Sequence, residues 1–491
     1  MNPTNLSDGN TDSERYLIRL AKLAFLSLWS YPNLYTDEGK SGVGDGKELC
    51  DLLIVFGNDV IIFSDKNCQF TKHVDNEVVW TRWYKRAIEK SAKQLAGAES
   101  WIRKFPSRIF LDAACTQPFP INIPAADEIN IHLIAVTRGS AKQAEKYWEG
   151  NSSASLFIDT SLIDKAHYKS PFKVGWVNGK NKYVHVFDEI TLDIVLKELD
   201  TIYDFVSYLK AKEELLHAKG IDLAVPGEEE LLALYLSNFD QKKQSHLFPQ
   251  LPPNCLLALR EGDWVKLCNS NAYKAREKAN QISYIWDELI EYQNWFIISG
   301  NSKVISESKS ATSQEKLMRI MASESRLTRR SLGESFLTAN KNETKDSRFT
   351  RIILSTSKSS LAYVFLSLPH PDDLELEDYL EMRRYDIQLY AFGAKLKFEY
   401  INEIIGIVFE PNKNEFGLID YFYLNFNNEK IDEKFASFLR EQLIKEKMWQ
   451  DSAITTKIIH NIPFPPHLSK LRKTQVSLTN LFKNIMKNFK S

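Results

Sequence analysis

Two apolar runs separated by a tight-turn sequence constrain the fold of this chain more than any other feature. Leu52–Phe56 and Val60–Phe63 are almost wholly apolar, and Gly57-Asn58-Asp59 lies between them. Short runs without polar alternation are typical of strands that are buried on both faces, and Gly and Asn favour a reversal of the chain. The sequence therefore predicts a central, buried β-hairpin.

Charged residues stand at the open end of this hairpin. Glu48 and Asp51 open the first strand, and Ser64-Asp65-Lys66 closes the second. Charges at the end of a buried sheet need partners or a metal ion, because an unpaired buried charge is costly. A salt bridge between Asp51 and Lys66 at the rim of the sheet is the purely structural interpretation, and a catalytic site is the functional one.

The elements around the hairpin predict an α/β module over residues 12–140. Apolar residues recur at helical spacing over Ser13–Ser30, before the hairpin, and a second, basic helix is predicted over Trp80–Lys104. Strand-like segments follow at Ile109–Leu111 and Ile129–Val136. Helices that alternate with strands in this way favour a sheet flanked by helices.

The remaining residues predict further domains, since 491 residues are too many for one core. The overall fold class is α/β (α+β overall). The predicted division is a disordered N-terminus (1–11), the module (12–140), a mixed then helical accessory region (141–300), a linker and basic helix (301–345), a C-terminal ββα-ββα domain (346–450) and a basic tail (451–491).

The N-terminal module resembles the PD-(D/E)XK nuclease superfamily, which includes restriction endonucleases and Holliday-junction resolvases. The family pattern is a helix with a Glu, a hairpin with Asp at its start and (D/E)-X-K at its end, and a second helix with a Gln or basic residues. Asp51 matches the metal-binding Asp, Lys66 the catalytic Lys, Glu14 the helix Glu and Gln94 the polar residue of the second helix. The resemblance covers about residues 12–140 and implies a restriction-endonuclease-like mixed sheet flanked by helices.

One residue departs from the family pattern. Ser64 stands two residues before Lys66, where the family has Asp or Glu, and strand alternation points Asp65 to the opposite face. Either a β-bulge turns Asp65 inward, or Glu48 supplies the missing oxygen, or the metal site is weakened. In the last case the domain is a non-catalytic scaffold that binds nucleic acid or protein.

The resemblance implies a metal-dependent nuclease that hydrolyses nucleic-acid phosphodiesters with Mg²⁺ or Mn²⁺. The residues expected at the catalytic centre are Asp51, Ser64, Asp65 and Lys66, and the expected metal ligands are Glu14, Glu48, Asp51 and Asp65. Fusion of such a domain to a long further region is typical of prokaryotic restriction and anti-phage systems, so antiviral defence is the expected setting.

The expected partner is nucleic acid, with DNA favoured, and a protein partner or a second copy of the chain is left open. The net charge is −1, so any basic surface must be local. The basic helix after the hairpin is the predicted nucleic-acid contact, with Arg82, Lys85, Arg86, Lys90, Lys93 and Gln94. A second basic cluster lies at Arg319, Arg326, Arg329 and Arg330.

Other patterns restrict the location and the chemistry. The polar N-terminal segment and the lack of a long apolar run predict neither a signal peptide nor a membrane span, and the five scattered cysteines suit reduced thiols in the cytoplasm. The chain has no Walker A sequence, no G-x-G-x-x-G after a strand, and neither H-E-x-x-H nor G-x-S-x-G.

Overall fold

A computed structural model describes most of the chain as two units, formed mainly by residues 3–270 and residues 271–491. The described residues are 9–40, 44–71, 75–218, 220–299, 311–341, 348–411, 419–427, 429–449 and 462–465. Both units combine helices with mixed sheets, which confirms the predicted mixed α/β class.

The first unit contains twelve strands and eight α-helices in its described part. The strands are β1 (Ser30–Thr36), β2 (Lys47–Phe56), β3 (Asp59–Asn67), β4 (Ile109–Phe110), β5 (Asn130–Arg138), β6 (Phe157–Ile163), β7 (Lys173–Trp176), β8 (Val184–Phe187), β9 (Ile221–Val225), β10 (Phe239–Asp240), β11 (Ser245–His246) and β12 (Cys255–Ala258). The helices are α1 (Asp12–Phe25), α2 (Asn76–Tyr84), α3 (Lys90–Lys104), α4 (Ala141–Tyr147), α5 (Thr191–Glu198), α6 (Ile202–His217), α7 (Glu228–Ser237) and α8 (Asp263–Asn269).

The predicted hairpin lies inside a six-stranded sheet of order β4-β1-β2-β3-β5-β8. Strands β1, β2 and β3 are antiparallel neighbours, whereas β5 and β8 continue the sheet parallel to β3. Because β8 belongs to this sheet, the sheet extends past residue 140, where the predicted module ends. Central strands that are covered on both faces need the apolar sequences seen in β2 and β3.

Helices cover both faces of the sheet. Helix α1 is capped by Thr11, whose side chain accepts the backbone N–H of Glu14, so ordered structure already begins within the predicted disordered segment 1–11. On this face, the ring of Phe25 lies 6.2 Å from that of Phe63. On the other face, Ile62 belongs to a core that includes residues of α2 and α3. A π-helical turn, Lys85–Glu89, joins α2 to α3.

A second sheet of the first unit has the order β12-β9-β6-β7. Strands β9 and β12 are parallel, and β6 is antiparallel to β9. Helix α7 follows β9 and helix α8 follows β12, so both connections start from the carboxyl ends of these parallel strands.

The second unit repeats the order strand, strand, helix. Its elements are α9 (Asn271–Asn280), α10 (Tyr284–Ile298), α11 (Ala311–Ala322), α12 (Arg326–Lys341), β13 (Phe349–Leu354), β14 (Leu361–Ser367), α13 (Leu376–Lys397), β15 (Glu403–Phe409), β16 (Ile419–Asn425) and α14 (Glu433–Lys445). The sheet order is β13-β14-β15-β16, and β14 and β15 form a parallel pair at its centre. The first part of the predicted linker (301–310) and most of the predicted basic tail lie outside the described residues.

None of the described helices is both long and apolar enough to cross a membrane. The five cysteines are free thiols.

Candidate active site

The charged end of the hairpin lies where the regular pairing of β2 with β3 stops. The paired positions run from Phe56 opposite Asp59 to Leu52 opposite Phe63. Immediately beyond them, the carboxylate of Asp51 accepts the backbone N–H of Asp65 at 2.6 Å, and Asp51 is 3% exposed. The Asp51 side chain is therefore held by the backbone of the neighbouring strand.

A bulge in β2 carries Glu48 towards Asp51. Cys50 pairs with Leu34 of β1 and Glu48 pairs with the next residue, Tyr35, so Leu49 is an extra residue. In a regular strand, residues three apart point to opposite faces, but one extra residue between them restores the same side. Glu48 therefore lies on the same side of the strand as Asp51, whose charge raises the pKa of Glu48.

The strand on the other side of Asp51 is also irregular. Asn33 of β1 lies between the paired residues Pro32 and Leu34 and has a φ of 49°. This left-handed conformation is uncommon outside glycine, although Asn tolerates it better than most residues.

The acids at this end of the sheet influence one another electrostatically. Glu48 is exposed as a residue, but partial desolvation of its carboxyl group and, second, the charge of Asp51 raise its pKa. Lys66 opposes this rise in the pKa, and Glu14 adds to it. Asp51, Glu14 and Lys66 therefore all influence the protonation of Glu48.

Lys66 lies beside Asp51 and remains accessible. Its Nζ is 3.4 Å from Oδ2 of Asp51, and its side chain is 24% exposed. An ammonium group in this position compensates the carboxylate and still reaches solvent.

Ser64 points into the protein instead of toward the acids. It is fully buried, and its Oγ lies 3.1 Å from Oε1 of Gln94 and 3.2 Å from Oγ of Ser91. Both partners belong to α3, so this contact places Gln94 next to the hairpin. Ser64 thus anchors α3 to β3.

The carboxylate of Asp65 pairs with Arg138 at the end of β5. Its oxygens are buried, and Nε of Arg138 lies 3.4 Å from Oδ1. Burial raises the pKa of Asp65, while Arg138 and Ser13 oppose the rise. The bulge lies in β2 and not in β3, and Asp65 donates its backbone N–H to Asp51.

The predicted nucleic-acid contacts lie along α2, the π-helical turn and α3. All five basic side chains are exposed, and Gln94 is partly buried (Arg82, Lys85, Arg86, Lys90, Lys93, Gln94). Lys85 lies over the ring of Tyr168, Arg86 donates to the carbonyl of Gln69, and Lys93 pairs with Glu89. The interleaved aromatic residues Trp80, Trp83 and Tyr84 are buried in the core and present no surface for base stacking.

The second basic cluster has a structural role. Arg326 and Arg329 are buried and both pair with Asp287, and Arg319 pairs with Glu315. Arg330 donates to the side chain of Asn280. Three of these guanidinium groups are paired with acids and the fourth is hydrogen-bonded to an amide, so the cluster does not support the predicted basic surface.

A divalent cation fits the donor set at Asp51. Mg²⁺ takes oxygen ligands and is commonly bound by one or two carboxylates, with waters completing its shell. Asp51 and Glu48 provide two adjacent carboxylates. Within the described residues, however, no three of Glu14, Glu48, Asp51 and Asp65 bring their oxygens within 4.8 Å of one another.

Sequence reasoning missed Arg138 as a member of this region. Arg138 ends β5, which runs parallel to β3 and pairs there with Asn67. The available signal was its position: Arg138 lies two residues beyond the mainly apolar run Ile131–Val136, as Asp65 lies two residues beyond Ile61–Phe63.

Comparisons with protein-family models, with curated proteins and with solved structures find no match for this chain.

Proposed function

We propose that the first unit is a metal-dependent nuclease of the PD-(D/E)XK type that hydrolyses nucleic-acid phosphodiesters. The observation that carries this proposal is the group formed by Asp51, Glu48 and Lys66 at the irregular end of a buried hairpin. The order of helix, hairpin and helix around this group supports the proposal, because it is the order of the family pattern.

In this proposal, Asp51 and Glu48 hold the cation, and Glu14 adds negative charge nearby. A bound Mg²⁺ or Mn²⁺ polarises a phosphoryl oxygen and lowers the pKa of a coordinated water. Asp51 is preorganised for ligation, because the N–H of Asp65 fixes its orientation before any cation arrives. Glu48 provides the second metal-binding carboxylate, which in the family pattern comes from the acid two residues before the lysine.

In this proposal, Lys66 contacts the substrate. Its ammonium is held 3.4 Å from the Asp51 carboxylate and is partly exposed, so it is placed to donate to a phosphate oxygen or to the attacking water. A positive charge that meets charge developing in the transition state accelerates the reaction more than one that binds only the ground state.

The helix after the hairpin supplies the surface for the nucleic-acid backbone. Its exposed cations are sequence-independent contacts, since lysine and arginine neutralise phosphates without reading bases. The contact of Gln94 with Ser64 brings α3 to the hairpin end, so phosphates bound along α3 pass close to Lys66.

Cleavage of labelled nucleic acids tests the proposal. Supercoiled plasmid, linear duplex, single-stranded DNA and RNA are incubated with the full chain and Mg²⁺, Mn²⁺ or EDTA. We expect cleavage of at least one substrate that depends on the metal, and its loss in Lys66→Met and Glu48→Gln. Asp59→Asn is the matched control, because Asp59 lies at the opposite end of the same hairpin.

Two results contradict the proposal. One is cleavage that Lys66→Met, Glu48→Gln and Asp59→Asn leave unchanged. The other is a chain that binds nucleic acid with none of the substrates cut and with no Mn²⁺ bound at Asp51. The second result favours the scaffold interpretation, in which buried Ser64 marks a site without catalytic acids.

A further inference from the structure

Three carboxyl groups meet at the edge of the second sheet of the first unit. Helix α7 begins after β9 with Glu228, Glu229 and Glu230, and Glu261 lies in the loop between β12 and α8. Glu229, Glu230 and Glu261 each offer an oxygen, and the three oxygens lie within 4.8 Å of one another. Because β9 and β12 are parallel neighbours, the cluster lies at the carboxyl ends of two parallel strands, where ligands bind in α/β sheets.

Glu229 leaves one carboxylate oxygen without a protein partner. The residue is 2% exposed, and its Oε1 accepts the hydroxyls of Ser153 and Ser155. Its Oε2 is buried and has no hydrogen-bond donor among the described residues. A buried carboxylate oxygen left in this way is costly, so the free oxygen indicates a missing positively charged ligand.

The other two carboxylates are fixed by backbone groups. Oε1 of Glu230 accepts the N–H of Gly262 at 2.7 Å, and its Oε2 accepts that of Trp264 at 2.9 Å. Glu261 accepts the N–H of Ser153 at 2.7 Å. Each oxygen keeps a further lone pair, so these bonds orient the carboxylates without saturating them.

The neighbouring Glu228 shows how this chain neutralises a buried acid in other cases. Its carboxylate pairs with Lys212 at 2.5 Å and accepts the hydroxyl of Tyr208 at 2.6 Å. Within the described part of the chain, Glu229, Glu230 and Glu261 form no ion pair with a lysine, arginine or histidine. The cluster therefore holds three acids and no cationic side chain.

We propose that Glu229, Glu230 and Glu261 bind a hard divalent cation of the size of Ca²⁺, separately from the group at Asp51. Ca²⁺ accepts irregular sets of oxygen ligands about 2.4 Å from the ion, so oxygens up to about 5 Å apart can share it. The hydroxyl of Ser153, already bonded to Glu229, is a further oxygen at the site. The ion ties the segment before β6 to the connections that follow β9 and β12.

Terbium luminescence tests this site in the full chain. Tb³⁺ replaces Ca²⁺ among oxygen ligands, and Trp264, whose backbone bonds to Glu230, serves as the antenna. The titration uses a chain with Asp51→Asn, so that the proposed catalytic group does not contribute. We expect tryptophan-sensitised emission that Ca²⁺ displaces, and at least about tenfold weaker Tb³⁺ binding in Glu229→Gln and Glu261→Gln.

The matched control is Asp263→Asn, because Asp263 lies two residues from Glu261 and pairs with Lys266 at 2.7 Å. We expect this control to bind Tb³⁺ like the parent chain. A second readout is the Tm, which Ca²⁺ should raise in the parent and the control but not in Glu261→Gln. Glu261→Gln is decisive if Glu229→Gln fails to fold, because Glu261 lies in a loop.

The proposal is overturned if Tb³⁺ binds equally well to the parent and to Glu261→Gln, or if Ca²⁺ leaves the Tm of the parent unchanged. The competing occupant is a proton, since burial raises the pKa of Glu229 to about 7. A protonated Glu229 that needs no cation gives the second of these results.

Discussion

Replacement of Asp51 separates the structural role of its carboxylate from the proposed catalytic one. Asp51 is 3% exposed, and its Oδ2 accepts the N–H of Asp65 at 2.6 Å. Asn keeps an oxygen that can accept this bond, whereas Ala removes it and leaves the buried N–H of Asp65 without a partner. Both substitutions remove the negative charge that a cation requires.

The expected stabilities follow from these contacts. A buried donor without an acceptor costs about 1–3 kcal/mol, so Asp51→Ala should lower the free energy of unfolding by about 2 kcal/mol. Asp51→Asn loses only the pair with Lys66, whose side chain is 24% exposed, and such pairs contribute about 0.2–1 kcal/mol. The loss of repulsion from Glu48 offsets part of this. Asp51→Asn should therefore remain within about 1 kcal/mol of wild type.

Activity should not follow the same order. Both variants should cut at least about 100-fold more slowly, because each loses the charge at the centre of the site, and a factor of 100 is about 2.7 kcal/mol of transition-state stabilisation. Urea unfolding measures the stabilities, and single-turnover cleavage of an end-labelled substrate with Mn²⁺ measures the rates. Equal stabilities of Asp51→Ala and Asp51→Asn would refute a stabilising role for the hydrogen bond from the Asp65 N–H. Full activity in Asp51→Asn would refute the catalytic role.

Three further substitutions test neighbouring contacts. Glu48→Gln should abolish cleavage and stabilise the fold increasingly as the pH rises above about 4.5, the ordinary pKa of glutamate. The reason is that the pKa of Glu48 is raised in the folded state, so the wild type loses stability as this carboxyl group ionises. Urea unfolding at several pH values measures the difference. Arg138→Met should lower the free energy of unfolding by about 3 kcal/mol at pH 7, because it leaves the buried carboxylate of Asp65 without its cation. The loss should be smaller at pH 4, where Asp65 takes up a proton, and a loss that does not depend on pH would contradict this reasoning. Lys90→Ala should weaken binding to duplexes of any sequence and reduce the slope of log K against log salt by about 1, as measured by fluorescence anisotropy at several salt concentrations. The control Lys266→Ala, on α8, should leave both the affinity and the slope unchanged.

The hairpin and the C-terminal repeat could be predicted because their signals are local. The apolar runs around Gly57-Asn58 became β2 and β3, and the turn lies between Phe56 and Asp59 as expected. In the second unit, β14 and β15 are buried throughout, and each contains an apolar run, Leu361–Leu366 and Ile404–Phe409. Period and turn chemistry are properties of neighbouring residues, so they can be recognised in the sequence.

The aromatic residues of the basic helix show where local signals were ambiguous. Trp80 and Trp83 share a helical segment with Arg82, Lys85 and Arg86, which suits either a stacking surface or a core-facing stripe. The structure places both in the core, since both rings are fully buried and lie 5.4 Å apart. Likewise, the sequence could not show that Arg326 and Arg329 share Asp287, because that contact joins residues about forty positions apart.

The position of Glu48 depends on a change of strand register that cannot be recognised from the residue types. Alternation along a regular strand separates Glu48 from Asp51, and a single extra residue, Leu49, brings them together. A bulge is set by the pairing of β2 with β1, which is a tertiary property. The pattern of residues therefore does not show that Glu48 and Asp51 lie on one side of the strand, or that Asp65 pairs with Arg138.

The serine at position 64 does not by itself decide whether the site carries enough carboxylates. The number of acids at a strand end depends on which side chains point to one side, and a bulge changes that set without changing a residue. Ser64 is fully buried against α3, so a longer acidic side chain there would have to displace Gln94 or Ser91. Glu48 lies on β2 with Asp51 and remains exposed, where a hydrated cation can approach. In the nuclease that we propose, the carboxylate of Glu48, placed by the β2 bulge, takes the place of the acid that the family pattern has at position 64.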